Sequence, residues 1–94
     1  MALITLDFET MYDQDYSLSK MNEVDYIKDA RFEAIMCSVK VGNAPTEVYV
    51  GHEIKPALGR IDWGTAAVLA HNIRFDGGIL AWHYGHVPRC TSTR

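Results

Sequence analysis

The sequence is short of cysteine, of basic charge and of long apolar runs. Its two cysteines, Cys37 and Cys90, belong to no paired-thiolate motif, and nothing near the N-terminus joins a basic stretch to a long apolar one. Together these absences point to a reducing cytoplasm and away from secretion. Twelve acids against nine bases leave a net charge of -3, which excludes a protein that grips nucleic acid through a broad cationic surface; any polyanion must be met locally. No apolar stretch approaches the roughly 20 residues that span a bilayer, so no membrane insertion is expected. Repeats and linkers are lacking too. With 48% hydrophobic and 22% charged residues the chain has the balance of a folding sequence, and 94 residues suffice for one domain.

Ala2 to Phe8 is an apolar run with one threonine, closed by Asp7 and followed by Glu9, and reads as a central strand whose end leaves the core. Met11 to Ala30 is more polar and reads as a structured insertion. Within it Asn22 and Asp25 precede Tyr26 and Ile27 in the manner of a capped short helix. Phe32 to Val41 alternates, Gly42-Asn43-Ala44-Pro45 supplies a turn, and Thr46 to Val50 is β-rich, which together make a hairpin. A helix over Glu53 to Ile61 is opposed by Pro56 and Gly59. Ala66 to Ala70 suits a buried fourth strand. Phe75, Ile79, Trp82 and His83 fall at helical spacing, with Gly85 placed for a left-handed cap. The stretch Val87 to Arg94 shows no periodicity and is expected to be extended or disordered.

This order implies an α/β layer whose sheet is mixed, antiparallel over the first three strands and parallel where the crossover brings strand 4 beside strand 1. Parallel strands share their carboxyl ends at one edge, the edge at which open α/β sheets place ligands. Asp7, Glu9, His71, Asn72 and Asp76 gather there. Asp7 and Glu9, two residues apart on a strand, face the same side. Carboxylates that close repel unless a cation lies between them, and hard divalent ions, Mg²⁺ or Mn²⁺, suit an all-oxygen site. Asp76, at the start of the last helix with Gly77 and Gly78 beside it, offers a third ligand. Each of these acids is also an ordinary strand end or helix cap; it is their joint pattern that points to a site.

Asp7-Phe8-Glu9-Thr10 and Ala70-His71-Asn72-Ile73-Arg74-Phe75-Asp76 resemble the first two motifs of the DEDD superfamily of 3′–5′ exonucleases. Asp15 to Met21 and Ala70 to Gly85 are further similar to the proofreading domain of bacteriophage family A DNA polymerases, with a likeness covering about residues 2–88. The resemblance implies a ribonuclease H-like fold and a two-metal Mg²⁺ or Mn²⁺ site. In it Asp7 would bridge both ions, Glu9 would ligate one and touch the terminal nucleotide, and Asp76 would hold the second mostly through water. It implies a single-stranded DNA 3′ end as the substrate, with Thr10, His71, Asn72 and Phe75 around it. The family's fourth acid, in a Tyr-x-x-x-Asp or His-x-x-x-Asp motif, has no counterpart here, and neither do its fifth strand and later helices. On this reading residues 1–88 are a partial exonuclease domain truncated after the second motif, weakly active or inactive alone, and residues 89–94 a tail. A half-fold leaves a sheet edge and an apolar face open to a homodimer or a complementing chain.

A second reading from another class also stays open: a non-catalytic, phage-encoded interaction module or inhibitor of a host system that keeps the fold and needs no metal. In either case a phage protein would act in the host cytoplasm. His83, His86 and Cys90, with His71 or His52, have the spacing of half a zinc site, against which stands the packing of His83 on an apolar helix face. Asp13 and Asp15 read as turn residues or substitute ligands. His71 and Asn72 are read both as substrate contacts and as loop caps. Trp63, Trp82 and the tyrosines are assigned to the core. Lys20, Lys28, Arg31 and Arg74 form no stripe, and of these only Arg74 adjoins the site.

Overall fold

Alternation along the first strand sets the sheet. In the computed structural model, which describes residues 2–93, strand β1 (Ala2–Thr10) buries Ile4, Leu6 and Phe8 and turns Leu3, Asp7 and Glu9 to the other side, as a period of two requires. It runs two residues further than its apolar stretch, with an irregularity between Glu9 and Thr10. Helix α1 (Glu23–Lys28) follows, and Asn22 caps it by accepting the Asp25 N–H. The hairpin comes next, as β2 (Ala34–Val41) and β3 (Glu47–Val50), both antiparallel. A short 3₁₀ turn leads into α2 (Ile54–Gly59). Pro56 is tolerated there because it sits in the first turn, where no intrahelical acceptor awaits its missing N–H.

Strand β4 (Ala66–Ala70) pairs parallel with β1 from Ala2↔Ala66 to Thr5↔Leu69. Helix α3 (Ile73–Gly78) begins three residues later and passes into a π turn over Ile79–His83. Gly85, at φ 77°, closes it in the left-handed conformation expected of that position. Strand β5 (Cys90–Thr93) then pairs parallel with β4, giving the sheet order β3-β2-β1-β4-β5.

The domain is thus α/β with a five-stranded mixed sheet; β5 adds a strand to the four expected, and the tail, expected to be extended or disordered, is extended and paired to β4. Its pairing is carried by backbone groups while all four side chains stay exposed, so no apolar period marks it in the sequence. The core assignment of the aromatic residues is corrected at Trp82 and Tyr12, which are 48% and 74% exposed. The wider π turn rotates the residues after Ile79 about the axis, so Trp82 leaves the face that a spacing of 3.6 assigns to it.

Tyr26 and Ile27, Ile54 and Leu58, and Ile79 and Leu80 join the inner faces of β1, β2 and β4 in one core. The opposite sheet face remains open, with Leu3, Val48 and Val50 each about half exposed. The insertion is held by a tyrosine pair. Tyr16 and Tyr26 stack at 4.4 Å and 6°, the Tyr16 hydroxyl donates to the Tyr26 carbonyl, and the Tyr26 hydroxyl donates to the Met11 carbonyl beside Thr10 Oγ1 at 2.9 Å. Asp13 takes the N–H groups of Asp15 and Tyr16, the turn role, and Arg31 lies over the Tyr16 ring at 4.7 Å.

Tyr26→Phe keeps the stack and strips the bonds at the end of β1. A loss of about 1–2 kcal/mol is expected, read in urea denaturation as a lower midpoint with unchanged slope; an unchanged midpoint would show that the hydroxyl does not hold the strand end.

Candidate functional site

The site forms where β1 outruns its neighbour. Pairing with β4 stops at Thr5, yet β1 continues to Thr10, so its backbone on that side needs other partners. Phe8 N–H finds one in the Asp76 carboxylate, donating to Oδ1 at 3.1 Å. Asp76 reaches that point because Asn72 starts α3 beyond the end of β4: its side chain accepts from Phe75 N–H at 3.4 Å, and its carbonyl takes the Asp76 N–H at 2.9 Å. Asp76 is 2% exposed. Burial pushes its carboxyl up to about 6, helped by the negative charges of Asp7 and Glu9, while the Phe8 and Asn72 backbone contacts pull it down.

Asp7 and Glu9 flank Phe8 on the open face, both exposed, and neither makes a hydrogen bond or ion pair among the described residues. The three acids therefore share one sheet edge and feel each other's charge. No three His, Cys, Asp or Glu side chains among the described residues are already grouped to grip a metal. The donor set nevertheless fits a hard divalent cation: it is all oxygen, two members are open to solvent, and the buried third is raised mainly by burial and partly by the like charges of the other two.

Two depressions adjoin the acids. On the open sheet face a cleft of about 610 Å³ is lined by Asp7, Thr5, Ser38, Lys40, Leu69 and His71. Toward the insertion a hollow of about 290 Å³ is lined by Glu9, Thr10, Tyr12, Leu18, Tyr26 and Phe75. Of the residues read as substrate contacts, His71 lines the cleft and Phe75 the hollow. Thr10 engages Tyr26 through its hydroxyl, and Asn72 caps α3. Sequence reading does not single out Lys40 or Leu18 and assigns Tyr12 to the core; Lys40 reaches the cleft through the register of β2 on β1, which sets it across from Thr5.

The zinc-like residues are engaged elsewhere. His83 packs on Phe32 at 4.7 Å between ring centres and edges against Tyr84, and burial pushes its pKa down. His86 lies against Trp63 at 5.9 Å, and Cys90 is exposed on β5. No helix among the described residues is long and apolar enough to cross a membrane. Compared with protein-family models, curated proteins and solved structures, the chain matches none.

Asp76 links the site to stability. An acid whose pKa is raised from 3.8 to about 6 by folding binds its proton more tightly in the folded chain. Its stabilising contribution is therefore full below about pH 4 and fades as the pH rises through about 6. Asp76→Asn retains an acceptor for Phe8 N–H without the charge. Its denaturation free energy should exceed wild type on the order of 2 kcal/mol at pH 8 and lose that advantage by pH 4. A parallel pH profile for the two proteins would count against the buried charge.

Proposed function

We propose that this chain is a 3′–5′ exonuclease-type module of ribonuclease H-like fold, which binds a single-stranded DNA 3′ end through Mg²⁺ or Mn²⁺ at Asp7, Glu9 and Asp76. The observation that carries the reading is the buried Asp76 carboxylate bonded to Phe8 N–H, between the exposed Asp7 and Glu9. The resemblance of Asp7-Phe8-Glu9-Thr10 and of Ala70 to Asp76 to the two exonuclease motifs supports it further, as does the mixed sheet with β1 and β4 parallel.

Asp7, Glu9 and Asp76 would hold the divalent ions, which would supply an activated water and positive charge to stabilise the leaving 3′ oxygen. The chain's own groups do the rest. Asp76 anchors the constellation to the backbone of β1, and Asp7 and Glu9 present open oxygens on either side. The hollow beside Glu9 offers Phe75, Tyr12 and Leu18 to a terminal base, a stacking contact that tolerates any base. His71 and Lys40 on the cleft wall are donors within the same edge of the sheet. Because phosphate is met by metal and a few local donors, a net charge of -3 is compatible with this substrate. The Tyr-x-x-x-Asp or His-x-x-x-Asp motif that supplies a fourth acid in the resembled family does not occur in residues 1–94. Turnover by the chain alone should therefore be slow, and a second copy or a complementing chain would raise it.

The open sheet face, with Leu3, Val48 and Val50 half exposed, favours a second reading: an interaction module, such as a phage-encoded inhibitor of a host system, that keeps the fold without the chemistry. The two readings part on one assay. With Mn²⁺ the purified chain should shorten 3′-unpaired single-stranded DNA from its 3′ end, and EDTA or Asp7→Ala/Glu9→Ala should abolish the shortening; a folded protein that leaves the DNA intact favours the interaction module. Mn²⁺ should also raise the melting temperature of the wild type and leave that of Asp7→Ala/Glu9→Ala unmoved, which calorimetry can check without any nucleic acid.

A further inference from the structure

Away from the carboxylates a groove of about 500 Å³ runs between the α3–π segment and the approach to β5. Its helical wall is Ile73, Gly77 and Ala81, and its other wall Val87 and Pro88. Val24, Trp82 and Val87 around it are 40%, 48% and 73% exposed, an apolar concentration that a soluble surface rarely leaves without use. The groove is also where positive charge collects. Arg74 and Arg89 line it, and the Lys28 ammonium stands 5.7 Å from the Trp82 ring centre. Three of the chain's nine basic residues thus meet in one place on a protein of net charge -3. Glu23 is the one acid on the walls, and its contact with Arg74 is long, 3.7 Å, with the arginine side chain 86% exposed. Among the described residues Arg89 and Lys28 make no ion pair.

Strand β5 adds a second, independent feature. Among the described residues no strand pairs with its outer edge, and its residues Cys90-Thr91-Ser92-Thr93 include no charge or proline, the usual guards of an edge. The opposite edge is guarded: β3 begins with Glu47, and the Glu53 carboxylate takes the Val50 N–H at 3.0 Å.

We infer that this groove and the β5 edge form a docking site for an acidic segment of another protein. The segment would lie extended along β5, with an apolar side chain against Trp82 and carboxylates facing Arg74, Arg89 and Lys28. Strand addition of this kind draws affinity from main-chain hydrogen bonds and specificity from alternate side chains, and the charge pattern selects an acidic partner. A nucleic-acid strand suits the groove less. Trp82 is the sole aromatic ring on its walls, and that ring already lies against Gly78, where an added Cβ would come within 2.8 Å of it. Successive bases would find no further platform.

The inference does not rest on the nuclease reading, and its test contains neither metal nor DNA in the main arm. The probe is a fluorescein-labelled dodecapeptide with Leu or Val at alternate positions and Glu or Asp between them. Its anisotropy should rise saturably with the protein, more weakly as salt increases, and at least ten-fold more weakly with Arg74→Glu/Arg89→Glu. Both arginines are exposed, and circular dichroism checks that the variant is folded. Because Cys37 is buried and Cys90 exposed, maleimide labelling reports on Cys90, and the peptide should slow it. Equal affinity for the double variant, equal affinity for a peptide with Lys in place of the acids, or no saturable binding up to millimolar concentration would overturn the proposal. Displacement by an equally charged oligothymidylate at the same concentration would reassign the groove to nucleic acid. A monomer–dimer equilibrium in sedimentation that the double variant abolishes would reassign it to a second copy.

Discussion

One hydrogen bond organises the candidate site: the Phe8 amide to the buried Asp76 carboxylate. It exists because two parallel strands of unequal length leave part of β1 without a ladder partner, and a buried donor without an acceptor costs about 1–3 kcal/mol. A side chain from the next element fills the place that a longer β4 would have taken. The contact is possible because Asn72 caps α3 just beyond β4, which aims the first turn of the helix at the end of β1. It also places a third carboxylate beside Asp7 and Glu9, whose charges help to raise Asp76 to about 6. Fold and site thus meet in one residue, with local electrostatic tension as the consequence.

The two-layer arrangement sorts the surface. Helices cover one face of the sheet and build the core, while the other face presents Asp7 and Glu9 among half-exposed aliphatic side chains. The acids therefore stand at a boundary between an open apolar plane and a polar edge. That position leaves them accessible to solutes and equally accessible to whatever covers the plane. The groove by Trp82 shares no lining residue with the cleft or the hollow beside the acids.

Much of this was legible in the residues, and the reasons are specific. Alternation through Ile4, Leu6 and Phe8 places Asp7 and Glu9 on one face whatever surrounds the strand. Asn22, Asn72 and Gly85 act as caps because each side chain, or its absence, meets a local backbone need. The rest depended on long-range pairing. Strand β5 is invisible to periodicity because its side chains stay in solvent while its backbone completes the ladder of β4. The outward turn of Trp82 follows from a π turn that no local spacing announces. Lys40 joins the cleft through the register of β2 on β1, and Tyr12 and Leu18 join the hollow through the folding of the insertion. The burial of Asp76 needs both the register of β1 with β4 and the start of α3, neither of which a motif contains.

The parallel pairing of β1 with β4 also has a consequence in time. Ala2 meets Ala66 and Thr5 meets Leu69, so the central strand leaves the ribosome about sixty residues ahead of its neighbour. At about 5–20 residues per second one edge of β1 stays open for several seconds. The antiparallel partner β2 emerges sooner and can cover the other edge at a smaller loop-closure cost. Assembly from the hairpin side toward β4 and β5 would leave the carboxylate edge among the last parts to close, and the open side of β1 would be the stretch most in need of shelter during synthesis.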